Sequence, residues 1–256
     1  MANNLVSIFA LDPDAKPKQR GNFQDDVVGR FRSGRQIKVG AKMLPESLSA
    51  WRVTTGDPIV ADEIAKLLGG TPEEWETDKE DNLEVLSTSP SVRIIIENAD
   101  ALDASMKLFG NMTGLVHHCD GAVYLTDDDA ELVGTPCGCP TTVQERKDRA
   151  KSGKGPKPSI ELTFKLEAAP ELGKFRFNSA SWSLVDVLGD VFADIDRIGG
   201  ADEAAGVKGG PVLATLTIEH VSYTTKAGRD VAYNKPVIKV LSAYEAAGDA
   251  DLPMAA

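Results

Sequence analysis

The sequence predicts an α+β fold in which a largely antiparallel β-sheet carries one or two packed helices. Three observations lead there. Runs that alternate apolar and polar residues, such as SIELTFKLE at 159–167 and PVLATLTIEHVSYT at 211–224, recur through the chain. Most follow one another directly instead of alternating with helices, the order expected of antiparallel pairing. Two segments, from Pro58 and at 182–198, space their apolar residues as one face of a helix.

Taken in order, LVSIFAL at 5–11 reads as a strand, and Pro13, Pro17 and Gly21 mark a loop after it. VVGRFR and RQIKVG within 25–39 read as two short strands joined at Ser33-Gly34. LSAWRVTTG at 48–56 is a further strand. Asp57 is then suited to cap a helix with Pro58 at its first position, apolar residues at 60, 64, 67 and 68, and a stop at Gly69-Gly70. After the acidic TPEEWETDKEDN, the runs EVLST at 84–88 and VRIIIE at 92–97 are strands. ADALDASMKLFG at 99–110 reads as a short helix or an irregular stretch. ERKDRAKSGKGPKP at 145–158 is basic, rich in Gly and Pro, and predicted to be a mobile loop. A strand at 159–167, a second at 173–177, a helix at 182–198 capped by Ser179 or Ser181 and ended by Gly199-Gly200, and a hairpin of 211–224 with 231–242 complete the series. Residues 1–244 read as a single compact domain, and 245–256 as a flexible acidic tail.

The chain has 256 residues, 42% hydrophobic and 26% charged, an ordinary globular balance. No apolar run approaches the roughly 20 residues that span a bilayer. The first residues lack the basic region of a signal peptide, so the expected location is the cytoplasm. Three cysteines, an odd number, argue against a disulfide framework. Net charge is −11, which disfavours a protein that works mainly by neutralising duplex phosphates. The charge is uneven. Residues 53–100 are strongly acidic, whereas Arg146, Lys147, Arg149, Lys151, Lys154 and Lys157 have only Asp148 within their span. Either stretch suits a solvated face or a charged docking surface.

All three cysteines and two of the three histidines fall within 117–139: His117, His118, Cys119, Cys137 and Cys139. Thiolates and imidazoles are the usual ligands of four-coordinate zinc. Two clusters, H-H-C and C-G-C, can each offer two ligands from a tight turn, and Gly138 permits the backbone twist that aims both of its neighbours at one ion. Cys119, Cys137 and Cys139 are three ligands. Neighbouring residues on a turn point apart, so only one of His117 and His118 is the fourth. His117 is favoured because its spacing from Cys119 mirrors the C-x-C opposite. The predicted ligands are therefore His117, Cys119, Cys137 and Cys139, in an inserted loop at about 115–141. Four protein ligands close the site, which makes the zinc a structural staple rather than a catalytic centre. The chain has no phosphate-binding loop, no dinucleotide fingerprint, no H-E-x-x-H and no nucleophile elbow. It is expected not to be an enzyme and to have no small-molecule substrate and no catalytic residues.

Several segments together carry a resemblance: NLVSIFALDPD, VVGRFRSGRQI, HHCDG with CGCP behind it, and ERKDRAKSGKGPKPSIELTFKLEAAPELGKFRFNSASWSL. They resemble the recombination directionality factors of temperate actinobacterial phages that use large serine integrases, from the N-terminus to about residue 200. The resemblance implies a control protein that binds the integrase on attachment-site DNA. Such a factor promotes recombination between hybrid sites, and hence prophage excision, while inhibiting integration. It implies little or no direct sequence-specific DNA binding, and the integrase's own serine cuts the DNA. The residues leave two alternatives: a phage replication accessory or single-stranded-DNA-binding protein with a structural zinc, and a metal-dependent nuclease or hydrolase. Phe31 between Arg30 and Arg32, and Phe175 and Phe177 around Arg176, have the aromatic–basic interleaving that stacks on bases.

Overall fold

In the computed structural model the described residues are 27–40, 42–75, 77, 81–110, 113–126, 130–202, 204–226 and 228–245. The strand expected at 5–11, the loop after it and the tail beyond Glu245 lie outside them. The first two strands, β1 (Val27–Val39) and β2 (Lys42–Thr55), form a long antiparallel hairpin from Val39–Lys42 to Arg30–Thr54. Ser33-Gly34 is therefore not a turn between two short strands. The register shifts there, between Arg32 and Gly34, and a Cβ on Gly34 would lie 2.8 Å from the Glu46 carbonyl oxygen. Glycine marks a bulge with close backbone approach, which local composition cannot distinguish from a turn.

Helix α1 (Pro58–Leu68) forms as its caps predict. Asp57 accepts a hydrogen bond from the Ile59 amide at 2.8 Å, and Val60, Ala61, Ile64 and Leu68 are buried while Leu67 stays exposed. Gly69 ends it with φ +77°, and Gly70 follows with φ +94°, close under the Leu86 carbonyl. Strands β3 (Pro72–Glu74), β4 (Leu83–Leu86), β5 (Ser91–Ile96), β6 (Leu102–Gly110), β7 (Gly114–Cys119) and β8 (Tyr124–Thr126) follow. After helix α2 (Val143–Lys151) come β9 (Lys157–Leu166), β10 (Lys174–Ser179), α3 (Trp182–Val185), α4 (Leu188–Gly199), β11 (Val212–Thr224) and β12 (Asp230–Ala243).

The strands make one sheet in the order β12-β11-β5-β9-β10-β1-β2-β4-β3. Among the described residues only β1 and β10 run parallel, with Val27 beside Lys174 and Phe31 beside Phe177; the other pairs there are antiparallel. The second edge of β9 is shared. Its C-terminal end pairs with β5 at Leu166–Ile94, and its N-terminal part pairs with β6 from Leu162–Leu102 to Lys157–Lys107. The sheet therefore divides at β9, and β6, β7 and β8 leave it as an arm.

Strand alternation sends Phe31, Trp51, Phe164, Phe175 and Phe177 inward, all at most 2% exposed. Their rings meet at centroid distances of 5.3–6.2 Å, mostly edge to face. The intervening Arg30, Arg32 and Arg176 lie on the opposite face of their strands. Phe31, Phe175 and Phe177 are thus core residues with no surface to offer a base, which removes the feature that suggested single-strand binding. The sheet curls until β11 and β12 return against β2, where Asn234 donates to the Leu48 carbonyl at 3.0 Å. Helix α4 closes the core with Leu188, Val191 and Ile195 buried.

Three local expectations need correction. Residues 102–110 are a strand, because pairing with β9 on one edge and β7 on the other overrides an Ala- and Leu-containing stretch with weak helical character. The basic segment at 145–158 is not a loop. Its first part is α2, with Thr142 accepting from the Glu145 amide and donating to the Glu145 carboxylate, and β9 already begins at Lys157. The helix at 182–198 is two pieces. At the break the Val187 amide bonds to the Leu184 carbonyl, a tighter turn that keeps the apolar face continuous. No helix among the described residues is long and apolar enough to cross a membrane.

Candidate metal centre

The arm exists to bring two turns together. β7 carries His117 and Cys119 on one face, as residues two apart on a strand must be. Immediately after Cys119 the Asp120 carboxylate accepts from the Ala122 and Val123 amides at 2.7 and 2.8 Å. These bonds hold the Asp120 carboxyl below the usual carboxylate range. The chain returns through β8 to the second turn, whose Cys137 amide donates to the Ala122 carbonyl at 2.9 Å. Gly138 adopts φ +67° with open space around it. Its requirement for glycine is conformational, and it turns Cys137 and Cys139 to the same point.

One ligand atom each from His117, Cys119, Cys137 and Cys139 lies within 4.8 Å of all the others. The Cys119 and Cys139 sulfurs are 3.8 Å apart, and the Cys139 sulfur is 3.5 Å from His117 Nε2. A tetrahedral ion with bonds of about 2.3 Å to sulfur and about 2.0 Å to nitrogen separates two sulfurs by about 3.8 Å and sulfur from nitrogen by about 3.5 Å. These four residues can therefore bind a metal ion. The cysteines are free, and 3.8 Å is far beyond a disulfide bond. Cys119 and Cys137 are buried, and His117 and Cys139 are half-buried. Burial pushes the Cys119 thiol up to about 12, and burial first of all raises Cys139 as well. Without a cation the cluster disfavours thiolates. A divalent ion reverses that preference, since it binds sulfur only after the proton leaves.

His118 points to the other face of β7. Its Nδ1 lies 2.7 Å from Thr126 Oγ1, and burial, with Lys107 nearby, lowers its pKa. His220, the third histidine, is exposed on β11 and bonded to Asn234, away from the cluster. Tyr124 packs beside the His117 ring at 4.8 Å, and Trp182 packs on the small core of Met106, Cys119 and Cys137.

A family model described as Gp3-like, recombination directionality factor-like, matches residues 28–240. The chain belongs to this family. No solved structure matches it. In this directionality factor-like chain the match spans the sheet and the whole metal arm. It also spans the residues that sequence reasoning missed, the arginines of α2. Arg146 donates through Nη2 to the Gly121 carbonyl at 2.7 Å and through Nε to the Pro140 carbonyl, so one guanidinium ties the first turn to the second. Arg149 reaches the Gly138 carbonyl at 3.4 Å. The signal was present as Arg residues three apart, directly after CGCP. It becomes legible only once 143–151 is a helix, which puts positions 146 and 149 on one face.

Proposed function

We propose that this protein is a recombination directionality factor that binds a large serine integrase on attachment-site DNA. It switches the enzyme from integration to prophage excision and inhibits integration. The observation that carries this reading is the family match over residues 28–240. The factor does no bond chemistry. It binds one arrangement of the integrase synapse more tightly than the other, and about 1.4 kcal/mol of differential binding gives a tenfold bias. Its net charge of −11 suits a basic, DNA-bound protein target better than bare duplex. It acts in the cytoplasm of the bacterial host.

The metal in this reading is zinc, held by His117, Cys119, Cys137 and Cys139 as a structural staple. Three thiolates with one imidazole are a usual structural zinc set, and four protein ligands leave no open position for substrate. Residues 1–244 act as one domain with the arm as its insertion, a reading supported by the single sheet from which the arm branches. A recombination assay with the cognate integrase tests the function. Addition of the protein raises recombination of the hybrid sites and suppresses integration. No change in either direction would refute the proposal.

A further inference from the structure

Beside the metal arm, α2 faces the start of β9 and the chain after β10, at Ala180 and Trp182, leaving a cleft of about 360 Å³. Lys147, Lys151 and Lys157 line it, over a wall of Ala150, Ala180 and Trp182. The Lys147 ammonium sits 5.8 Å from the centre of the Trp182 ring. Lys107 adds a fourth cation, as the direct cross-strand partner of Lys157. Like charges placed opposite each other destabilise a strand pair. The acids of α2, Asp148 and Glu145, keep their charge but are hydrogen-bonded elsewhere, Asp148 to the Gln144 amide at 3.1 and 3.2 Å and Glu145 to the Thr142 hydroxyl. None of the four lysines forms an ion pair with a described residue.

From this group of lysines without ion-pair partners we infer that the cleft between α2, the start of β9 and the start of α3 is the docking site for an acidic, carboxylate-bearing segment of the integrase; this rests on the proposed function above. A protein segment fits better than nucleic acid for two reasons. A pocket of this volume takes two or three side chains, whereas a duplex presents a continuous ladder of phosphates about 1.7 Å apart along its axis. The chain's net charge of −11 also repels an extended polyanion but admits a short acidic segment at a local cationic site. The apolar wall accounts for the stems of such a segment, and the lysines for its carboxylates. The docking site is anchored to the metal centre through Arg146 and Arg149 of the same helix. Loss of metal therefore disorganises docking without touching a contact residue.

The test is equilibrium binding of purified cognate integrase to the full-length protein and to two double variants. Lys147→Glu with Lys151→Glu weakens binding at least about 30-fold, with metal content and thermal melting unchanged. Lys147→Arg with Lys151→Arg, which keeps the charge, stays within about threefold of the native protein. Native-like binding by the glutamate variant overturns the docking site and leaves the directionality reading standing. Failure of the native protein itself to bind integrase overturns both. A 30-nucleotide single strand or 30-base-pair duplex that binds the native protein alone, and loses that binding in the glutamate variant, makes the cleft a nucleic-acid site and overturns the inference.

Discussion

Replacing Arg146 with alanine separates the metal ligands from what holds them. The guanidinium is half-buried and bonds carbonyls on both turns of the arm, Gly121 and Pro140, so its loss frees the turns to move apart without removing a ligand. Hydrogen bonds from a charged donor contribute about 1.5–3 kcal/mol each, but water enters when the side chain is cut back and replaces part of that. Loss of a group that orients ligands ordinarily weakens metal binding by about 10–100-fold, or about 1.4–2.8 kcal/mol, and Arg146→Ala falls in that interval. Competition against a chromophoric chelator at fixed pH measures it. Arg146→Lys recovers only part of the loss, because one ammonium cannot span two carbonyls as the planar fork does. Arg149→Ala, which gives up one exposed contact at 3.4 Å, changes affinity by less than about threefold. An Arg146→Ala affinity within threefold of the native protein would refute the view that this guanidinium sets the spacing of the two turns.

Metal content distinguishes the two adjacent histidines: His117→Ala lowers zinc affinity at least about 100-fold, whereas His118→Ala retains a full equivalent by elemental analysis. In metal-stripped, reduced protein the folded Cys119 thiol titrates at about 12, raised from the ordinary 9.0. A raised folded value means stability is fully present below pH 9 and is lost as pH climbs toward 12, so urea midpoints fall between pH 8.5 and 10.5; a flat or rising profile contradicts this. Gly70→Ala destabilises by about 3 kcal/mol or more in urea titrations, since φ is +94° and the new Cβ would lie 2.3 Å from the Leu86 carbonyl oxygen. Gly40→Ala, with φ +63° and nothing nearby, costs about 1 kcal/mol, and equal effects at the two positions would contradict the steric argument.

What the sequence disclosed depended on how local the cause was. Helix α1 was readable to the residue because Asp57, Pro58 and the Gly69-Gly70 pair act within a few positions. β9 was readable because both of its faces are specified by alternation alone. The approach of the four metal-binding candidates was foreshadowed by residue type and spacing, since few other arrangements explain all three cysteines in 23 residues with two histidines. By contrast, β6 owes its extended form to partners 50 or more residues away in β9, and no window around 102–110 contains them. Gly34 looked like a turn because a bulge and a turn ask the same thing of glycine. The helix at 143–151 was hidden by the Gly and Pro that follow it, although Thr142 and Glu145 spelled out its start. The inward placement of Phe31, Phe175 and Phe177 was written in the period-two pattern, but the charge of their neighbours made the opposite face look as inviting.

The parallel pair of β1 and β10 has a consequence for how the chain is made. β1 has β2 on one edge, but its other edge is closed only by Lys174–Phe177, far toward the C-terminus. Synthesis delivers chain at roughly 5–20 residues per second, so β1 leaves the ribosome on the order of ten seconds before that partner exists. During that interval the hairpin holds Phe31 and Trp51 without their lid of Phe175 and Phe177, an exposed aromatic edge on a nascent chain. The outward arginines of β1, Arg30 and Arg32, then act as gatekeepers against other nascent chains, a duty that ends once β10 arrives.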